Sequence, residues 1–453
     1  MKRNAFATAA LLVAVATMAS AQTYVVMHNF GTTSTDPQAP GEPGVICQSR
    51  GGYLFSAGGT QGNPGAAFRL TTDGHYTVMH AFTGSDGQMP TGGLTLGRDG
   101  WFYGSTVSGG PGTWGTLYKM RSNGQVKTLH YYSGGDGGNP WAAPIQSVAG
   151  DFYSVTHGSF NYGQIVKIFQ SGQYTMLHSM TLFEGVYQVA PLVQGTDFAF
   201  YGAAIDSSGT ASPGDLYRIT STGAFEVLYT FDGTYGNHPA GGLIQATDGN
   251  FYGVASEGGS DGAGTVFQMT PDHTVNLLYS FSGGADGGGP VGGMVEASDG
   301  NLYGTTSSGG ANGAGVLFRL TPSGTYTVLH DFAGATGSAP RSSLMQHTNG
   351  RLYGMTSSGG SANLGVFFSL EAGLPPFVTY LPTYGRAGGV VQILGQGFTD
   401  TSQVLFNGTP ASFKLVYPTF IQATIPDGAT TGPITVSTTN GTLTSNKVFI
   451  VHP

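Results

Sequence analysis

Short alternating runs of apolar and polar residues fill most of the chain, and the runs recur with a fixed wording. Around residue 300 the pattern reads as four strands, A to D, at 292–296, 302–306, 315–321 and 325–332. Alternation with period two predicts half-buried strands. An Asp-Gly pair joins A to B and a Pro-Ser-Gly segment joins C to D, which is hairpin turn chemistry because glycine accepts positive φ. The strand-B aromatic slot is filled by Phe55, Tyr103, Tyr153, Tyr201, Tyr252, Tyr303 and Tyr353, spaced 48 to 51 residues apart. A strand-D slot is filled by His28, His80, His130, His178, Tyr229, Tyr279 and His330. Both slots occur seven times. Four antiparallel strands per period of about 50 residues is the unit of a β-propeller, so the pattern predicts an all-β, seven-bladed propeller.

The ends of the repeat predict how the sheets close. The chain opens with a lone D-type strand at 24–30, while the seventh repeat stops after its C strand at 364–370. The N-terminal strand is expected to supply the missing D strand and to cover an edge that would otherwise be open. After Pro375-Pro376 the period ends. Short β-rich runs at 390–394, 403–406, 420–425, 434–438 and 448–451 predict a small Ig-like sandwich with a core of its own. The expected organisation is a leader at 1–21, a propeller at 22–372 and a sandwich at 373–453.

The Leu-Tyr-Gly-Thr-Thr wording at 302–306, Gly-Thr-Val-Phe at 264–267 and Val-Leu-His-x-Phe at 328–332 resemble the GloVer-type tandem repeat of bacterial choice-of-anchor surface proteins. The resemblance covers residues 23–371 and implies an exported location. The C-terminal segment resembles an IPT/TIG domain through Pro382-Thr383-Tyr384-Gly385, Gly395-Gln396-Gly397-Phe398, Val404-Leu405-Phe406-Asn407-Gly408 and Gly432-Pro433-Ile434-Thr435-Val436. Such domains serve as spacers or interaction modules, and only Arg386, Lys414 and Lys447 carry positive charge here, so a spacer is expected rather than a DNA-binding unit.

Composition narrows the function classes. Lys2 and Arg3, the apolar stretch 5–19 and Ala19-Ser20-Ala21 have the form of a signal peptide, too short to span a bilayer. The mature chain is therefore expected to be secreted, with no membrane insertion. Net charge is −8, which is the wrong sign for a nucleic-acid partner. Charged residues are only 9% of the chain, Gly numbers 77, and Cys47 is the single cysteine, so stability must come from packing rather than disulfides.

The D-strand histidines lie one per repeat, so a structural, hydrogen-bonded role is expected in place of a metal site, and no cofactor is called for. Gly258-Gly259-Ser260-Asp261-Gly262 matches a nucleophile-elbow motif but precedes a strand rather than a helix. What does not repeat lies in the D–A and B–C loops, which share one end of the sheets. Trp114, Trp141, Tyr162, Asn161, Tyr187, Tyr235 and His238 are the candidate ligand-binding residues there, suited to sugar rings or to another extracellular protein. The expected function is non-catalytic binding by a monomer. The alternative is a polysaccharide lyase or hydrolase using Asp206 and Glu257 as acids and His157 as a base, since hydrolysis needs two carboxyl groups within about 5–9.5 Å.

Overall fold

The computed structural model describes residues 22–33, 36–37, 44–60, 62–157, 163–181, 184, 190–205 and 214–452. The expected leader at 1–21 lies outside them. Among these residues the repeats build six antiparallel four-stranded sheets in the order A-B-C-D, the first being Cys47–Gln48, Leu54–Thr60, Asn63–Leu70 and Tyr76–Ala81. A seventh sheet draws on both ends of the repeat region. Thr23–Asn29 pairs antiparallel with Val366–Glu371, placing Tyr24 opposite Leu370 and His28 opposite Phe367.

The recurring Tyr-Gly of strand B has a steric cause. A Cβ on Gly104 would lie 2.6 Å from the Tyr118 hydroxyl, and one on Gly202 would lie 2.3 Å from that of Tyr217. Glycine there admits a large ring from the facing C strand, and Phe267, Phe318 and Phe368 fill the same place against Gly253, Gly304 and Gly354. The A–B turns are fixed by their acid: Asp299 accepts the Asn301 backbone N–H and, at 2.9 Å, the hydroxyl of the buried Tyr303. A tyrosine whose body is buried thus finds its polar partner at the turn.

Each core cluster of the repeat region joins two successive sheets. Tyr103, Leu117 and Tyr132 of the second pack with Phe152, Val166 and Ile168 of the third. In the same way Ile46, Leu54, Phe68 and Leu70 of the first sheet pack with Phe30, Tyr353, Met355 and Phe367 of the seventh. D strands add a second tie between neighbours. His28 stacks on Tyr76 at 3.7 Å, His178 on Phe225 at 4.0 Å, Tyr279 on Tyr326 at 4.2 Å and His330 on Tyr24 at 3.8 Å. The same slot holds an acid of the following loop, as in His80–Asp86 at 2.7 Å and His130–Asp136 at 2.9 Å.

A third tie runs through the A strands. Gln146 accepts the backbone N–H of Arg98 in the preceding sheet, Gln194 that of Val148, Gln245 that of Thr196, Glu296 that of Thr247, Gln346 that of Ser298, and Gln48 that of Thr348. Six junctions carry this clasp. At the junction of sheets one and two the slot holds Leu96, which has no amide to offer.

Residues 377–451 form an Ig-like sandwich of two four-stranded sheets, Thr379–Leu381, Val390–Leu394, Phe420–Thr424, Phe413–Tyr417 and Thr409–Pro410, Gln403–Phe406, Ile434–Thr438, Gly441–Thr444. Its core contains Val391, Ile393, Phe406, Ile421, Val436 and Phe449. That core is made of sandwich residues alone, while two further sandwich residues pack on the repeat region. Leu394 and Phe420 belong to the cluster of Phe55, Leu96, Phe102 and Tyr118 between sheets one and two. The physical reason is Leu96: an apolar residue in the clasp slot leaves a surface that only apolar side chains can cover.

Candidate functional site

The D–A and B–C loops bring two groups of the expected residues together. In the third repeat Trp141, two residues beyond Asn139, lies with its ring 6.1 Å from that of His157. The loops are tied by the His157 N–H donating to the Asn139 carbonyl. In the fifth repeat His238 Nδ1 lies 3.1 Å from Glu257 Oε2, both partly exposed. Asn237 and Glu257 exchange two backbone hydrogen bonds, which fixes that pair of loops. Asn139 and His238 each precede a proline with φ of 51° and 53°. That left-handed conformation is strained for a non-glycine residue, and more so before proline, so the surrounding bonds must hold it.

Trp114 is half-buried against the glycine-rich loop of the next repeat, where a Cβ on Gly134 would meet its ring at 2.9 Å. Tyr235 is half-buried, its ring 6.4 Å from Tyr229 and its carbonyl accepting from Thr265. Asp206, Asn161, Tyr162 and Tyr187 lie outside the described residues, so the Asp206–Glu257 pair has no distance. The histidine that meets Glu257 is His238, two sheets on from His157. Sequence reasoning did not pair His238 with Glu257, because it ordered the loops by repeat number and could not see that the D–A loop folds back onto the B–C loop of its own sheet. A lone half-exposed His–Glu pair offers a hydrogen-bond donor and acceptor, which suffices to orient a hydroxyl-bearing ligand.

The opposite end, made of the A–B and C–D turns, is occupied by the sandwich. It touches five of the seven sheets. Thr419 donates to the Arg50 carbonyl, Gln392 to the Arg98 carbonyl, Lys447 to the Gln245 carbonyl and Gln396 to Thr348. Tyr384 meets Phe198 edge-on at 5.2 Å. Between the sandwich and the A strands of sheets two to five lies a cavity of about 550 Å³. The A strands of four separate sheets share its lining (Thr95, Ile145, Val193, Gln245). Sequence reasoning missed this end. The one signal available was the A-strand slot, read as Gln, Leu, Gln, Gln, Gln, Glu and Gln along the repeats.

Among the described residues no group of three His, Cys, Asp or Glu side chains has metal-holding geometry, and no helix is long and apolar enough to cross a membrane.

The family model of the Gloeobacter/Verrucomicrobia repeat matches residues 42–248 and 241–392, and that of the IPT/TIG domain matches 375–450. No curated protein matches the chain. Among solved structures it is similar to PorZ, a bacterial surface component of the type-IX secretion system of Porphyromonas gingivalis, at 13% identity and a TM-score of 0.48, over 90% of this chain and 59% of that one. It is also similar to an oligogalacturonate lyase from Vibrio parahaemolyticus (11% identity, TM-score 0.48, 78% of this chain and 97% of that one). A putative 6-phosphogluconolactonase from Bacteroides fragilis is a third (16% identity, TM-score 0.48, 76% and 90%).

Proposed function

The chain belongs to the Gloeobacter/Verrucomicrobia repeat family, and we propose that it is an exported, non-catalytic binding protein that takes a glycan or another extracellular protein at its loop end. In this reading the repeats are a seven-bladed β-propeller closed by the N-terminal strand, the IPT/TIG domain is its cap, and the molecule works as a monomer. One observation carries the reading: the sandwich occupies the turn end across five sheets, which leaves the loop end as the end it does not cover. That face is also where the repeats differ from one another, and where Trp141, His157, His238 and Glu257 are presented on tied loops. Function carried on loops above a rigid scaffold fits such an arrangement.

A glycan array on the mature protein tests the proposal, followed by the Trp141→Ala variant on any hit. Truncating an aromatic anchor is expected to weaken binding by about 1–3 kcal/mol. A Glu257→Gln variant should weaken binding of the same glycan, with no reducing ends released by either form. Normal binding by Trp141→Ala removes the loop end as the site, and glycan turnover lost in Glu257→Gln replaces the binding protein with an enzyme.

A further inference from the structure

The cavity at the turn end is built like a ligand site, and it is independent of the loop-end reading. Its volume of about 550 Å³ falls within the usual range for small-molecule pockets, about 300–1,000 Å³. Its walls are mostly apolar: Ile145 and Val193 from the A strands, Phe198 from an A–B turn, Val448 from the sandwich. Two charged side chains line it, Arg98 and Lys447, and both are cations. No carboxylate is among the lining residues of a chain whose net charge is −8.

The two cations differ in what they are free to do. Arg98 is committed, since its guanidinium donates to the carbonyls of Ser147 and Val148. Lys447 has one acceptor among the described residues, the Gln245 carbonyl at 3.2 Å. Lys447 lines this cavity and its side chain is exposed, so the charge is open to a ligand there. The nearest acid, Glu296, stands outside the lining, with its carboxylate accepting the backbone N–H and the hydroxyl of Thr247. An ammonium beside an apolar wall and without a paired carboxylate attracts an anion placed next to it.

We propose that the cavity between the A strands and the sandwich binds a small organic anion, an apolar body carrying one carboxylate or sulfonate, with Lys447 taking the charge and Ile145, Val193, Phe198 and Val448 taking the body. Neither half of the chain makes this site alone. The ring supplies one wall and the sandwich the other, so a ligand here would also hold the two units together.

The test uses the full mature chain with two fluorescent probes of similar shape, the anionic 8-anilinonaphthalene-1-sulfonate and the neutral N-phenyl-1-naphthylamine. The expected result is saturable one-site binding of the anionic probe, at least tenfold tighter than that of the neutral one. Lys447→Met should weaken the anionic probe at least tenfold and leave the neutral one unchanged, whereas Lys447→Arg should restore most of the preference. Val448→Trp, which fills the cavity from the sandwich side, should abolish both. Trp141→Ala at the loop end should change neither, so failure here and failure of the loop-end site are separate results. Absence of saturable binding, equal affinity for the two probes, or a Lys447→Met variant that binds the anion normally would each overturn the proposal.

Discussion

The side-chain amide of Gln392 donates to the backbone carbonyl of Arg98 at 2.7 Å, at the one junction between neighbouring sheets where the A strand offers no clasp. Its oxygen accepts from the Arg50 guanidinium at 2.9 Å, and that guanidinium also donates to the Arg98 carbonyl and lies 4.9 Å over the Phe420 ring. The sandwich thus makes at sheets one and two a polar contact between neighbours that a glutamine makes at five other junctions and Glu296 at the sixth.

This arrangement predicts a reversal of sign. Leu96 is 9% exposed and packs with Leu394 and Phe420, so Leu96→Gln in the full chain should lose about 1–3 kcal/mol by burying an amide among apolar side chains. In a chain ending at residue 374, the same substitution should raise the melting temperature, because the new amide can reach the Arg50 N–H. Phe420→Ala in the full chain should cost about 3–5 kcal/mol as a buried aromatic truncation. Thermal melts of the paired variants check both signs; a Leu96→Gln effect of the same sign in both chains refutes the argument.

The N-terminal strand should be indispensable. Deleting residues 22–31 removes Phe30, fully buried between the seventh and first sheets, and leaves Val366–Glu371 as an open edge. An unpaired edge of that length is a template for association. The deletion is expected to aggregate or to melt at least 10 °C lower, measured by light scattering during a thermal ramp. A monodisperse variant as stable as the parent contradicts the pairing.

Acid should loosen the same seam through His347. Its Nε2 donates to the Gly52 carbonyl at 3.1 Å and its Nδ1 accepts from the Asn349 backbone N–H at 3.2 Å, so the folded protein holds the neutral ring. Burial pushes the pKa down to about 4. The unfolded chain takes up its proton near pH 6.5 and the folded one only near 4, so stability falls as pH drops through that window and is level below it. The loss is about 3 kcal/mol at 1.36 kcal/mol per unit. Urea titrations from pH 7 to 4 should show it, and His347→Gln should flatten that part of the profile. An unchanged slope in the variant removes His347 as the cause.

Strand B should tolerate no side chain at its glycine. Gly304→Ala would place a Cβ 2.6 Å from Phe318 Cζ and 3.0 Å from Met294 Cγ in a core with no slack. Overpacking of this kind costs about 1–3 kcal/mol. The double variant Gly304→Ala with Phe318→Leu should recover part of the loss in a denaturant titration, and a single variant as stable as the parent would show that the ring is not pinned as described.

Much of this was legible in the sequence because repetition makes local chemistry unambiguous. Tyr303 beside Asp299 and Gly304 recurs in wording, and each recurrence fixed a strand, a turn and a spacing. The pairing of Thr23–Asn29 with Val366–Glu371 was readable for the same reason, since one strand was in surplus at one end and missing at the other. What could not be read was contact between units that do not repeat. Lys447 stands in a segment with few charges and gave no sign of facing Gln245, 202 positions earlier in the chain. Nor did the order of the loops show that His238 meets Glu257.

Leu96 has one more consequence. The other sheets present a polar side chain at the same slot of strand A, so Leu96 makes one junction of the turn end unlike the rest. Leu394 and Phe420 rest on that junction, and with the short link from Glu371 to Thr379 the sandwich is held at two separate points. A body held at two points cannot pivot about either, so Lys447 keeps its place beside the fifth sheet.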